Sequence, residues 1–486
     1  MTGLRRRESR PRRRQGLGLA DVRLAPAGEA TRARGRPQAS LGRRASPHGC
    51  ADAGWHSSRR RARALPPYRS ELRPALPLIG LLLLASADAG AIGSVSRGPF
   101  SLEATGSVRL TEAVLRFPQE AALLGQHDGG LGAAVVRLLG QGDLSGRVGY
   151  EVNLFVDLTW APPSSSGGSL ATVAAFRSPY RNSHLAWDWL DHGRGAGQLG
   201  LDRLTFNVRL DPLQLSLGRL PVNYSVTQLF TPNDFFAPFS ATAINKMYKP
   251  GVDALRAALS LGQLSALEMT GVLGSDADGV PGWRQSALLL RASTVQWQIE
   301  WALLGGKLAE RWVAGASIQG ELGPLGVRGE GHVGFPDRDG ALDEERQIHV
   351  RAALGVDRRI EWRNAQLGLE LLYQSDGAWD TSEYLARLAG LYPDDLPYLG
   401  RLYVGLSAGG EILPILRLQL AGLVNARDGS GIGMLTLLCS LADEADLLGG
   451  LLVPWGARGV SLADLSVQSE LGLAPLMLFV ETRFYF

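Results

Sequence analysis

The feature that most constrains this chain is a strict alternation of apolar and polar residues over unusually long runs. In RVGYEVNLFVDLTW (147–160), every even-numbered position from Val148 to Trp160 is apolar, whereas Arg147, Glu151 and Asp157 fall on the other set. A period of two predicts β-strands with unlike faces. The same pattern is clear in 203–210, 295–303 and 347–357, and weaker in 213–222, 252–261, 264–273, 327–333, 366–373, 400–408, 415–424 and 465–471.

The lengths of these runs and of the connections between them favour a membrane protein. Many runs reach ten residues or more, and a tilted transmembrane strand needs about 9–11, whereas strands of soluble sandwiches are near five or six. Short connections such as LDPLQ and ELGPLG alternate with long polar ones, including 161–198, 223–250 and 374–397. This arrangement is typical of an antiparallel up-and-down β-barrel in an outer membrane. Aromatic residues that suit interfacial girdles lie at the strand ends: Trp160, Trp301, Phe335 and Tyr373.

The first ninety residues differ from the rest of the chain. The net charge of +3 conceals 19 arginines and 5 acidic residues before Pro74, so this stretch carries +14 and the remainder −11. Residues 1–68 have no hydrophobic period, and we expect a disordered extension that reflects a start assigned too far upstream. Residues 69–89 have the basic, apolar and small-residue regions of a secretory signal peptide. A basic nucleic-acid-binding arm is the alternative, but a secreted β-protein has little use for one, so no nucleic-acid partner is expected.

The final run, LMLFVETRFYF, ends the chain on an aromatic residue. It resembles the C-terminal strand of Gram-negative outer-membrane β-barrels, which typically ends in Phe after alternating apolar residues. The resemblance covers Leu476–Phe486 and implies that Phe484 and Phe486 form the signal that the barrel-assembly machinery reads. It also implies that this strand closes the barrel against the first one, which removes the exposed edges.

The strand count predicts a barrel over residues 90–486. About nineteen runs are visible, but single-chain barrels of this class have an even number. One assignment within 430–475 must therefore be wrong, and we predict 18 strands, with 16 as the alternative. A barrel of this size leaves an aqueous lumen unless it is plugged, and the chain offers no plug domain before its first strand.

One connection, residues 223–250, looks specialised because it is long and rich in aromatic residues and proline. Its pattern from Gly218 to Arg256 resembles a porin-like family of unassigned function, and in general porins the third loop folds inward and narrows the channel. The alternative is a loop that caps the barrel with its charges paired to one another. The residues predicted to line the pore or its constriction are Arg147, Glu151, Arg203, Arg219, Asp234, Lys246, Lys249, Asp253, Arg256, Glu300 and Arg351.

These features predict a porin of the outer membrane, a water-filled channel for passive diffusion of small hydrophilic solutes. Alternatives are a barrel dedicated to one substrate, such as a saccharide, an exported polysaccharide or a hydrophobic compound, and a closed structural or adhesion barrel. No catalytic or metal-binding motif is present, so no enzyme activity, metal or cofactor is expected. The expected partners are outer-membrane lipid, the assembly machinery and small solutes, and self-association is left open.

Overall fold

A computed structural model describes residues 93–161, 178–192, 194–238, 248–276, 278–336, 348–389, 396–464 and 466–486. The predicted extension, signal peptide and cleavage sites therefore lie outside the described residues. Among the residues that the structure describes, no helix combines the length and apolarity needed to cross a membrane.

Eighteen antiparallel strands of the described chain form a closed barrel, which confirms the predicted fold class and strand number. They are β2 (Phe100–Arg116), β3 (Gly129–Ser145), β4 (Val148–Trp160), β6 (Gly195–Leu210), β7 (Leu213–Leu220), β8 (Val252–Ser260), β9 (Ser265–Val272), β10 (Ala287–Gln296), β11 (Ile299–Leu308), β12 (Arg311–Leu322), β13 (Leu325–Pro336), β14 (His349–Ile360), β15 (Ala365–Gln374), β16 (Leu402–Leu413), β17 (Leu416–Asn425), β18 (Gly431–Ala442), β19 (Ala445–Trp455) and β22 (Leu476–Tyr485). The barrel closes where β22 pairs with β2, with Arg483 opposite Arg109.

Four further strands and a few short helical segments lie outside this ring. The strand β1 (Gly93–Arg97) pairs with β2, and β5 (Ala186–His192) pairs with β6 beyond the end of β7. The strands β20 (Val460–Ser461) and β21 (Ser466–Val467) form a small hairpin. Within the described ranges there is one α-helix, Tyr384–Ala389, and the 3₁₀ turns are Gln119–Leu124, Ser183–Leu185, Trp362–Asn364 and Thr381–Glu383.

The connections differ at the two ends of the barrel. At one end, eight short turns join the strands, and both Gly93 and Phe486 lie at that end. At the other end are nine connections: L1 (117–128), L2 (161–194), L3 (221–251), L4 (273–286), L5 (309–310), L6 (337–348), L7 (375–401), L8 (426–430) and L9 (456–475). The segment 223–250 therefore belongs to the third connection at the long-loop end, as predicted.

Strand β14 shows how the alternation becomes two surfaces. Val350, Leu354 and Val356 are exposed on the outside of the barrel, whereas His349 and Arg351 are buried on the inside. This is the division that the sequence predicts, and it is the reverse of a soluble protein, where the apolar face would be the buried one.

The prediction of a strand at 465–471 is wrong, and the error explains the odd strand count. Among the described residues of this segment, 466–471, only Ser466–Val467 is extended, as one side of the β20–β21 hairpin within L9. Glu470 of this segment lies in L9 and accepts hydrogen bonds from the Leu399 amide (2.8 Å) and the Asn425 side chain (2.7 Å). A short alternating run is stabilised as a strand only where a neighbouring strand pairs with it along its length.

Candidate functional site

The described parts of L3, 221–238 and 248–251, lie inside the barrel, and aromatic side chains fix them to the inner wall. Tyr224, Phe235 and Phe236 are buried, and they cluster with apolar residues from β8, β9, β10, β11 and β12. On β10 the contact is made by Leu289, which points inward between the exposed outward residues Leu288 and Leu290. Each buried aromatic ring removes a large apolar area from water. A loop with this composition is therefore stable only where a wall covers its rings.

Phe230 makes a second apolar contact, with the next part of the inner wall beyond β13. It is fully buried, with its ring centroid 5.5 Å from that of Tyr398 and 6.2 Å from that of Tyr403. Leu372 and Leu423, from β15 and β17, belong to the same cluster. L3 thus spans from the β8–β12 wall to the β15–β17 wall.

Two wall carboxylates hold the backbone of L3 between these clusters. The carboxylate of Glu370 on β15 accepts hydrogen bonds from the backbone amides of Gln228 (2.7 Å), Leu229 (2.8 Å) and Phe230 (3.1 Å). The amide N–H groups of a loop without secondary structure need acceptors when they are buried. A carboxylate offers about four acceptor positions, so one side chain can satisfy three consecutive residues.

Glu330 of β13 has the same role on both sides of the segment that Glu370 holds. Its carboxylate accepts hydrogen bonds from the Ser225 hydroxyl (2.6 Å), the amides of Val226 and Thr227, and the Asn233 amide (3.2 Å). Asn233 is held further by the His332 ring, whose Nδ1 lies 3.1 Å from the amide oxygen of Asn233. Both ends of the 225–233 segment are therefore fixed to one glutamate.

The returning limb of L3 is held by cations on the opposite wall. The guanidinium groups of Arg137 and Arg203 each lie 4.3 Å from the centroid of the Tyr248 ring. The Asn153 amide donates to the Tyr248 hydroxyl (2.6 Å), and Arg203 donates to the Lys249 carbonyl (2.7 Å). Burial, followed by the negative charge of Asp202, raises the pKa of Tyr248, so this hydroxyl stays protonated.

Several predicted residues lie in or beside the lumen. Arg203 pairs with Glu151 at 3.0 Å, Lys249 pairs with Asp234 within L3, and Glu300 pairs with Arg291. Arg351 pairs with Asp376 of L7 at 2.6 Å. Arg256 is half-buried on β8, on the same face as Ala254 of the L3-facing cluster.

Other predicted residues lie elsewhere. Arg147 is exposed in the turn between β3 and β4, at the short-turn end. Arg219 and Asp253 pair with each other at 2.7 Å. They share strand faces with Leu217 and Leu255, which are exposed on the outside, so this pair is directed away from the lumen. Lys246 is outside the described residues.

The structure adds a cluster of arginines on the part of the inner wall formed by β22, β2, β3 and β4. Arg109 of β2 lies directly opposite Arg483 of β22. On β3 the residue opposite Arg109 is Val135, and Arg137 is the next residue of the same inward face. Arg483 pairs with Glu481 at 2.5 Å, and Arg137 lies 3.5 Å from Asp202. Arg109 makes no hydrogen bond or ion pair among the described residues.

The alternation of β2 and β22 is consistent with Arg109 and Arg483 on the lumen side, but alternation alone does not show that they meet. Arg137 was missed because its strand, GGLGAAVVRLLGQGDLS, is rich in glycine and alanine and has little contrast between its faces. Among the described residues, no group of three or more His, Cys, Asp or Glu side chains is placed to hold a metal ion.

Comparisons with known proteins give similarity of fold. No protein-family model matches the sequence, and no curated protein matches it. The crystal structure of OccAB4 from Acinetobacter baumannii superposes with a TM-score of 0.51 at 10% identity, covering 79% of this chain and 98% of that one. OccAB1 from the same organism gives 0.49 at 12% identity, with 82% and 99% covered. A BenF-like porin from Pseudomonas fluorescens Pf-5 gives 0.49 at 11%, with 79% and 99% covered. The chain therefore shares its barrel fold with OccAB4 over nearly the whole length of that protein.

Proposed function

We propose that this protein is a porin of a Gram-negative outer membrane that passes small hydrophilic solutes down their gradients. The observation that carries the proposal is L3, held inside an 18-stranded barrel by Glu330 and Glu370. A barrel of this size encloses an aqueous lumen, and an inward loop would narrow that lumen. The barrel fold shared with OccAB4 supports this function.

We further propose that the narrowed path prefers anions, because Arg109, Arg137 and Arg483 converge on one stretch of wall. Glu481 and Asp202 pair with Arg483 and Arg137, and Asp157 of β4 is the third acidic residue near the cluster, so three arginines face three carboxylates and Arg109 itself has no ion-pair partner among the described residues. Charged rings at a constriction are a common basis of ion selectivity in channels.

The placement in the cell belongs to the same proposal. The long-loop end would face outward and the short-turn end the periplasm, as in barrels of this type. Cleavage after Ala87 or Ala89 would release the extension and signal peptide, which N-terminal sequencing of protein from outer membranes would test. A mature protein that begins upstream of residue 69 would contradict this part of the proposal.

Single-channel recording in a planar bilayer tests the channel itself. Protein purified from outer membranes should give steady, ohmic conductance steps, and deletion of 228–240 should raise the step size because it removes the segment held by Glu370. An unchanged step in the deletion variant would contradict a constriction at L3. A folded barrel with no conductance would instead favour a closed structural or adhesion barrel, or a gated one.

The reversal potential in a KCl gradient tests the anion preference. In water, a unit positive charge about 7 Å from the ion path stabilises an anion and destabilises a cation by ~0.6 kcal/mol each, so Arg109→Gln should lower the anion-to-cation permeability ratio about sevenfold. Arg358→Gln is the matched control, because Arg358 is exposed on the outward face of β14. Equal effects of the two substitutions would show that overall charge, and not the arginine cluster, sets the ratio.

A further inference from the structure

The wall of the barrel is lowest at β7, β8 and β9. These strands have 8, 9 and 8 residues, whereas β2 and β3 have 17 each. Their short-turn ends are level with their neighbours, because the turns 211–212 and 261–264 join them there. The missing length is therefore at the long-loop end. A tilted strand needs about 9–11 residues to cross the hydrocarbon region of a bilayer, so these three fall at or below that limit.

Segments of L2 and L4 stand above the short strands and leave a groove on the outer face. The groove has a volume of about 650 Å³. Leu217, Leu255 and Leu288 line it from the barrel wall, and all three are exposed on the outside. Leu185 of L2 and Leu273 and Trp283 of L4 line its upper part.

A glycine keeps the floor of the groove open. Gly271 lies on the outward face of β9, in line with the exposed residues Leu267 and Met269. A Cβ atom at this position would meet only Leu288 Cδ1, at 3.9 Å. A larger side chain could therefore enter the groove without moving the backbone.

The polar groups of the groove are confined to its long-loop end. Arg219 is neutralised there by Asp253 and donates its remaining N–H groups to the carbonyls of Leu201 (2.9 Å) and Asn182 (3.0 Å). Next to Trp283, the exposed Arg284 pairs with Glu310 at 3.3 Å. The groove is thus apolar toward the membrane interior and charged near the outer surface, which is the polarity of a lipid of the outer leaflet.

We propose that this groove binds one acyl chain of an outer-leaflet glycolipid, with the polar headgroup at the level of Arg284. The inference rests on the membrane placement proposed above but not on conduction. The occupant follows from position, because the lining residues that face the bilayer are apolar and a surrounding hydrocarbon chain is the component that fills such a space. The neutralised Arg219–Asp253 pair closes the upper end without leaving a charge in contact with the chain.

Native mass spectrometry of the full protein, extracted from outer membranes in mild detergent, tests the proposal. The wild type should retain one lipid, and after delipidation it should rebind hexa-acylated lipid A in preference to dioleoylphosphatidylglycerol. Gly271→Phe should reduce lipid A occupancy at least tenfold. Gly449→Phe is the control, because Gly449 lies on the outward face of β19, where a Cβ atom would meet nothing within 4 Å. Both variants should keep the heat-modifiable migration of a folded barrel.

Three outcomes would overturn the inference. Wild-type protein that retains no lipid and does not rebind lipid A would show that the groove has no such ligand. Equal occupancy in the two glycine variants would place the lipid elsewhere. A dimer that Gly271→Phe dissociates would show that a second copy occupies the groove. Conductance is recorded separately, so a barrel that binds lipid A without conducting would contradict the porin proposal and leave the lipid site intact.

Discussion

At the residue scale, two glutamates decide where L3 lies. Glu330 and Glu370 are both buried on the inner wall, and their carboxylates accept hydrogen bonds from successive backbone amides of the loop. Hydrogen bonds to a charged acceptor contribute about 1.5–3 kcal/mol each. The clusters around Phe230 and Phe235 bury apolar surface and so stabilise the docked loop. The carboxylates determine which part of its backbone lies against which strand.

We expect Glu370→Gln to weaken the docking of L3 by about 2 kcal/mol, because a glutamine offers a single carbonyl oxygen to three amides. Single-channel records should then show larger and noisier steps than the wild type. Glu300→Gln is the control, since Glu300 lies on the inner wall and pairs with Arg291. The role assigned to Glu370 fails if both variants give the wild-type trace.

At the element scale, L7 is joined to the barrel through Asp376. Its carboxylate receives hydrogen bonds from Arg351 of β14 (2.6 Å) and from Arg387 of the helix Tyr384–Ala389 (3.0 Å). The same helix is fixed by Tyr384, whose hydroxyl accepts a hydrogen bond from Asn425 at 2.9 Å. Together, the contacts of Asp376 and Tyr384 join L7 to both β14 and β17.

The ion pairs of Asp376 predict that the stability of L7 depends on pH. Burial opposes ionisation of this carboxyl, but the hydrogen bond and positive charge of Arg351, with Arg387, outweigh it and hold the pKa of Asp376 well below its usual value. A lowered pKa stabilises the folded state above the unfolded value of about 3.9. That stabilisation is lost as the pH falls below about 4 toward the folded pKa.

Hydrogen exchange of the L7 amides, compared between pH 6 and pH 3 after correction for intrinsic rates, measures this effect. Protection in 376–389 should fall in the wild type over that interval. Asp376→Asn should have low protection at both values, because it cannot carry the charge. If the pH dependence persists in Asp376→Asn, another group is responsible.

At the scale of the whole molecule, the barrel depends on the junction of its first and last strands. The backbone of Phe486 exchanges hydrogen bonds with Gly106, at 2.5 and 3.0 Å. The Phe486 ring lies directly over that glycine, where a Cβ atom would come within 2.2 Å of it. Phe484 lies opposite Val108 on the same strand pair. The Phe486 ring can therefore pack at this position only because residue 106 has no side chain.

Gly106→Val should destabilise this junction by about 1–3 kcal/mol, because the new side chain displaces the Phe486 ring. The temperature at which the folded band converts to the unfolded one on gels should fall. Gly449→Val, at an outward position with free space, should leave it unchanged.

Deletion of Phe486 tests the assembly signal that the C-terminal resemblance implies. We expect less folded protein in outer membranes, and more degradation, than for Gly106→Val at equal expression. If protein refolded in detergent shows the same loss, the residue acts through stability alone.

The sequence by itself determined the class of fold and the faces of the strands through alternation, and the inward loop through its aromatic content. Lipid and water lie on opposite sides of every strand, so each strand carries the same local pattern, as 148–160 and 349–357 show. The loop 223–250 could be recognised as inward-folding because its many aromatic residues need a wall to pack on.

Only the tertiary structure decided which side chains meet and which apparent strand is a loop. Contacts such as Glu370 with Phe230, Arg109 with Arg483 and Arg219 with Asp253 join residues far apart in sequence or on adjacent strands. Alternation assigns each residue a face but gives no register between strands and no depth in the membrane. The segment 465–471 alternates like a strand, but it has no barrel strand to pair with, because β19 and β22 already pair with each other.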